Sequence, residues 1–183
     1  MLIAKAQLYA SAEQYEQSLE LYDRAVEFRP EQEGIALSRA ELLLRMGRLD
    51  DALDAYTAAA GKWPDSALSL NALGYTLADR TERYAEAEVL IRKALELDPD
   101  SPAIIDSMGW VLFKLGRHTE ALTELRRAYA GFDDPEVAAH LVEVLVALDR
   151  EEEALELLES ATEKTPDSPL LDDVRNRLFP DTP

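Results

Sequence analysis

Two histidines and 37 carboxylates are the acid–base groups available to this 183-residue chain. His118 and His140 have Leu122 and Val144 four residues on, so neither has a metal-ligand partner at i+4. His118 reads as a packing residue between helices. No glycine-rich phosphate loop and no nucleophile elbow is present. Cysteine is absent, which removes thiolate ligands, disulfides and thiol nucleophiles. Acid pairs such as Asp50 and Asp51 stand where a helix would start, and there the dipole favours negative charge. No set converges on catalysis, so no catalytic, cofactor-binding or metal-ligating residue is assigned, no cofactor is expected, and the chain reads as a non-enzyme. Tyr75, Trp110 and Phe113 offer a different chemistry, that of an aromatic face able to bind a partner.

Charge narrows the choice of partner. The 37 acids outnumber 19 bases, for a net charge of −18. Such a chain repels phosphate backbones and anionic bilayers, so the expected partner is another protein and neither nucleic acid nor membrane. The excess is uneven. Residues 135–183 carry 4 bases and 13 acids, a net of −9 and half of the total, with Glu151-Glu152-Glu153 at its centre. That stretch reads as a solvated helix face, with an acidic docking surface for a basic partner as the sharper alternative. No apolar run approaches the ~18 residues of a membrane span. Met1-Leu2-Ile3-Ala4 is interrupted by Lys5 and Gln7, and reads as helix rather than leader.

The elements that must position these side chains are set by a period. Small residues stand at Ser18, Ala52, Ala87, Ala121 and Ala154, spaced 34, 35, 34 and 33 apart. Seven residues after each comes Ala25, Ala59, Ala94, Ala128 or Ala161. Five further on lie Pro30, Pro64, Pro99, Asp133 and Pro166. Upstream, in the same register, are Ala6, Ala40, Gly74, Gly109 and Val142. With these positions recurring at ~34 residues, the chain resembles the tetratricopeptide repeat family, in which each repeat is an antiparallel helix pair, A then B. The resemblance implies an all-α right-handed superhelix of about five repeats, at about 1–32, 33–66, 67–101, 102–134 and 135–166, then a capping helix at 167–179 and a tail at 180–183.

Each recurring position has a physical role. Small residues allow helices A and B to approach closely, and Leu73, Leu77, Leu112, Tyr56 and Leu125 fill the space beside them. Met46-Gly47-Arg48 and Leu115-Gly116-Arg117 supply turns that need positive φ. Proline ends four of the five B helices, and Pro-Asp-Ser signals at 64–66, 99–101 and 166–168 cap the next. Helices are predicted at about 1–11, 13–28, 31–46, 49–62, 65–79, 83–97, 101–115, 118–130, 135–148, 151–164 and 168–179. The turn at 79–84 holds one extra residue, and 129–135 loses one. The first helix opens at Met1 already in register, so the chain reads either as the C-terminal part of a longer array or as a natural start with a short first helix.

In this architecture the A helices line a concave groove. The register assigns to it Glu41, Leu44 and Arg45; Asn71, Tyr75, Ala78 and Asp79; Asp106, Trp110, Phe113 and Lys114; and Ala139, Glu143 and Val146. Tyr75, Trp110 and Phe113 are expected to stay substantially exposed there as the main partner contact, within a polar rim of Asp79, Asp106 and Lys114. The competing reading packs Trp110 and Phe113 against neighbouring helices, which is the commoner fate of an aromatic at helical spacing. The carboxylate-holding Lys/Asn/Arg cluster of chaperone-binding family members has no counterpart at Ile3, Gln7, Leu37, Ser38, Asn71 and Ala72.

A closer resemblance rests on Asn71-Ala-Leu-Gly-Tyr-Thr-Leu-Ala-Asp79, Asp106-Ser-Met-Gly-Trp-Val-Leu-Phe113 and Asp134-Pro-Glu-Val-Ala-Ala-His140. These strings look like the C-terminal repeats of bacterial outer-membrane tetratricopeptide lipoproteins, some of which bring substrates to a periplasmic protease. The resemblance implies a protein–protein interaction scaffold that binds a peptide or helix in the groove, placed in the periplasm or at the outer membrane if the chain is a piece of a lipoprotein, and in the cytoplasm otherwise. The alternative is a module that self-associates by stacking its terminal repeats. A scaffold is expected to be monomeric without its partner.

Overall fold

The computed structural model describes residues 2–180. The predicted helix start at Met1, and residues 181–183 of the tail, lie outside the described residues. Eleven helices and no strand occur among the described residues: α1 (Leu2–Ser11), α2 (Tyr15–Phe28), α3 (Glu33–Arg45), α4 (Leu49–Lys62), α5 (Ala67–Arg80), α6 (Tyr84–Leu97), α7 (Pro102–Lys114), α8 (His118–Gly131), α9 (Pro135–Ala147), α10 (Glu151–Lys164) and α11 (Pro169–Leu178). Odd and even helices pair in sequence. From α3 onward each odd helix also touches the next odd one, which builds a two-layer superhelix, and α11 closes the far end against α9 and α10.

The closeness of each pair follows the residue at one position. Gly74 of α5 has no room for a Cβ, which would fall 2.6 Å from Ile91 Cγ1 and 3.2 Å from the Ala87 carbonyl oxygen. Gly109 of α7 is tighter, with a Cβ 2.5 Å from Leu125 Cγ. The α5–α6 and α7–α8 backbones accordingly run close along most of their length. Pairs with Ala6 or Ala40 at this position run close over less, and the α9–α10 pair, with Val142, over least. Side-chain volume at one site thus sets how far two helices stand apart.

Turns and caps follow the local chemistry. Gly47 and Gly116 sit at φ +73° and +75°. Glu13 and Asp149 adopt φ 57° in the equivalent turns, which asks more of residues with a Cβ. After α5 the extra residue lengthens the helix instead of the turn, and Thr81 ends it by donating Oγ1–H to the Leu77 carbonyl and accepting from the Arg83 N–H. Before α9 the missing residue shortens the connection to Phe132-Asp133-Asp134. The Ser66, Asp134 and Ser168 side chains accept from N–H groups of α5, α9 and α11. Ser101 occupies the cap position of α7 without such a bond, and Pro102, Pro135 and Pro169 open their helices.

A cation near the end of each even helix from α4 to α10 reaches back one period. Lys62 Nζ donates to the Pro30 carbonyl at 2.5 Å, Lys93 Nζ to that of Pro64 at 2.6 Å, and Arg127 Nη2 to that of Pro99 at 2.5 Å. Where Asp133 replaces proline in the register, Lys164 pairs with its carboxylate instead. The apolar core is discontinuous. Ala6, Ala10, Leu21, Tyr22, Ala25, Ile35 and Leu42 form one cluster at the first pair. A much longer cluster runs from Leu37 to Phe179.

Candidate functional site

The odd helices and the α8–α9 connection enclose a groove of about 470 Å³. Its walls include Glu41, Leu44 and Arg45 from α3, Asn71, Tyr75 and Asp79 from α5, and Asp106 from α7. These are seven of the residues that the register assigned to the concave face. Lining residues that the register did not assign are Tyr56, Arg80, Ser107, Phe132, Asp134, Glu136 and Val137, among others. Glu136 holds the register position of Ala103 on α7, which also lines the groove, so the first turns of α7 and α9 belong to its wall.

The aromatic expectation fails at Trp110. Only 4% of its surface is exposed. The indole stacks on the His140 imidazole, with ring centroids 4.1 Å apart and planes 19° from parallel, and Phe113 lies 5.3 Å away. Lys114 Nζ stands 4.2 Å from the indole centroid, a distance that gives cation–π attraction. α7 is packed by α5, α6, α8 and α9, so every residue from Ile104 to Leu112 is buried. Trp110 is therefore core, and Phe113 is half-buried between Trp110 and His118. Neither, nor Lys114, lines the groove. Ala78 and Ala139 are buried too, at 1% and 2% exposure. Glu143 is taken up by Arg177 of α11 at 2.6 Å, which directs it to the capping helix.

Asp106, placed by the register on the polar rim, is buried and faces His140. His140 Nδ1 lies 3.0 Å from Asp106 Oδ1 and 3.1 Å from Oδ2. Burial disfavours the imidazolium, but the hydrogen bond to Asp106 and the charges of Asp106, Glu136 and Glu143 outweigh it and raise the His140 pKa above its ordinary value. The register does not pair the two: with 33 residues from Gly109 to Val142, His140 matches Ser107 and Asp106 matches Ala139.

Two phenols order the carboxylates of the groove. Tyr75 Oη donates to Glu136 Oε1 at 2.6 Å, across α7 from α5 to α9. Tyr56 Oη donates to Glu41 Oε2 at 3.1 Å. Burial, and then the adjoining carboxylates, push both phenol pKa values well above the tyrosine range, so both remain donors. Asp134 Oδ1 accepts from the Glu136 N–H at 2.8 Å. Asn71 Oδ1 is buried in the same wall with no hydrogen-bond partner. Among the described residues no three His, Asp or Glu side chains come close enough to hold a metal ion. No helix among them is long and apolar enough to cross a membrane.

Comparison with known proteins agrees with this geometry. Models of the tetratricopeptide repeat match residues 1–32, 37–102, 80–139 and 112–178. A TPR repeat-containing protein of Pseudomonas aeruginosa is 38% identical over 143 residues, 78% of this chain and 24% of that protein. Tetratricopeptide repeat protein 7A of Homo sapiens is 34% identical over 140 residues, 76% of this chain and 16% of that protein. The chain thus spans about a quarter or less of the length of these relatives. In fold it is similar to the crystal structure of a thermophilic TPR protein of Thermus thermophilus, with a TM-score of 0.81 at 22% identity, covering 97% of this chain and 95% of the other. The recurring small residues, the eleven stacked helices and the matched repeat models together place this chain in the tetratricopeptide repeat family.

Proposed function

We propose that the chain is a non-catalytic protein–protein interaction scaffold that receives a peptide or helical segment of its partner in the concave groove. The observation that carries this is the groove itself: about 470 Å³ of open space, walled by apolar Leu44, Ala72, Ala103 and Val137 and by polar groups held in fixed positions. Fixed polar groups around an apolar floor give register and affinity together. A photo-crosslinking amino acid at Ala103, exposed in the groove, should capture the partner, whereas one at Val89, exposed outside it, should not. Equal capture at the two positions would overturn the reading. The resemblance to outer-membrane lipoproteins and the match to a bacterial relative support a more specific form, an envelope adaptor that serves a periplasmic protease or envelope complex. Fractionation of cells expressing the full-length protein tests that form.

A second reading, self-association through the terminal repeats, is favoured by one feature. Leu2, Ile3, Ala25, Phe28 and Ile35 line an apolar pocket at the α1 end, and Phe28 is 74% exposed beside it. Sedimentation velocity across a range of concentrations should then show reversible dimers that Phe28→Ser abolishes. A monomer at all concentrations would remove this reading.

A further inference from the structure

We infer that the groove takes a cationic segment of its partner, with lysine or arginine side chains flanking an apolar residue; the inference rests on the groove being the partner-binding surface. Five carboxylates line it, Glu41, Asp79, Asp106, Asp134 and Glu136, against two guanidinium groups, Arg45 and Arg80. Both guanidinium groups are already engaged. Arg80 Nε pairs with Asp79 at 2.6 Å. Arg45 is drawn toward the first pair, where Nη2 donates to the Ala10 carbonyl at 3.4 Å and the guanidinium lies 5.3 Å from the Tyr15 centroid. Asp106 faces His140. Glu41, Asp134 and Glu136 are left with no cationic partner among the described residues.

Outside the groove the pattern is mixed, and Asp54, Glu96 and Glu159 also have no cationic partner among the described residues. Glu86, Glu88, Glu120 and Glu153, on the even helices, each pair with an arginine. The uncompensated groove carboxylates are also fixed in place, because Tyr56, Tyr75 and the Glu136 N–H each bind one oxygen and leave the other open. A concave wall of low dielectric concentrates their field. They do not converge three to an ion, so the geometry suits separate cations along a chain better than one metal ion. Phe132, 56% exposed at the rim, supplies the apolar contact. Asn71 Oδ1, without a partner, can accept a backbone N–H of the incoming segment. Three steps between stacked odd helices at ~8–10 Å each would be spanned by about eight extended residues at ~3.3 Å per residue.

The test titrates the full chain into fluorescein-labelled peptides of about ten residues, in which leucine is flanked by lysine, by serine or by glutamate. The lysine peptide should bind on the order of tenfold more tightly than the serine peptide and weaken as salt rises, while the glutamate peptide should not bind. Two triple variants carry the same change in net charge. Glu41→Gln/Asp134→Asn/Glu136→Gln should weaken lysine-peptide binding on the order of tenfold, and Asp54→Asn/Glu96→Gln/Glu159→Gln by less than about twofold. Glu41→Gln alone, at an exposed residue, serves if the groove triple fails to fold. Equal weakening by the two triples, equal binding of the serine peptide, or no binding of the lysine peptide would each overturn the inference. Ala103→Trp separates this failure from failure of the groove reading. Charge-independent binding that Ala103→Trp abolishes leaves the groove standing and removes the cation. Lysine-peptide binding that survives Ala103→Trp removes both.

Discussion

The Trp110 indole lies on the His140 imidazole, 4.1 Å between centroids, and joins α7 to α9 where a partner contact was expected. Trp110→Ala should therefore cost ~3–5 kcal/mol of stability, the usual loss for emptying a large aromatic site in a core. Chemical denaturation measures it. In a Trp63→Phe background, iodide should barely quench the native fluorescence. Strong quenching would mean that the indole is open to solvent.

Stability should fall as pH rises above the ordinary histidine value of about 6.5. The folded His140 pKa is raised, so protonation contributes fully below the unfolded value of about 6.5 and is lost as pH rises through the folded value. The groups facing the imidazole are Asp106, Glu136, Glu143, Tyr75 and Trp110. Melting temperatures taken from about pH 6 upward should decline more steeply for the native chain than for His140→Gln. Parallel curves would dissociate the pair from the pH response.

Two glycine substitutions should have opposite signs. Gly109→Ala drives a Cβ to 2.5 Å from Leu125 Cγ and 3.2 Å from the Leu125 nitrogen, so the α7–α8 pair must part. A loss of ~1–3 kcal/mol is expected, as for other overpacked cores. Gly34→Ala meets nothing within 4 Å inside α3, and should gain up to ~1 kcal/mol from backbone entropy and helix propensity. Thermal melts of the two variants that shift the same way would contradict the packing described.

Ala121 is fully buried where α8 meets α7. Ala121→Leu should cost ~1–3 kcal/mol. A denaturation midpoint equal to that of the native chain would refute the register.

The Tyr75–Glu136 bridge should show coupling of ~0.5–1.5 kcal/mol in a double-mutant cycle of Tyr75→Phe and Glu136→Gln, the range for one net hydrogen bond. Additive losses would mean that the bridge does not form in solution.

The helices were legible because small residues at a fixed period can serve only close packing, and the prolines punctuate them. The period also picked out residues that line one groove, as Glu41, Asn71 and Asp79 illustrate. It could not say how deep each side chain lies. A repeat motif assigns Trp110 to a face of α7, but its burial depends on His140, in the next repeat on α9, and on the closeness that Gly109 allows. Glu143 was misplaced for a similar reason, since its partner Arg177 belongs to a terminal helix with no equivalent elsewhere. Glu136 was missed because the concave set left out the first turns of α7 and α9, where Ala103 and Glu136 hold one register position.

The break in the apolar core at α3 sets a short compartment at the α1 end apart from the rest of the array. Ile35 and Leu42 belong to the short compartment with α1 and α2, and Leu37 and Ala40 to the rest. A crack opened at the α1 end is arrested at α3, because no shared side-chain cluster carries it further. Tension applied between the ends of the chain would then peel α1 and α2 away first, and the groove would lose only the hold of Ala10 and Tyr15 on Arg45 while they unravel.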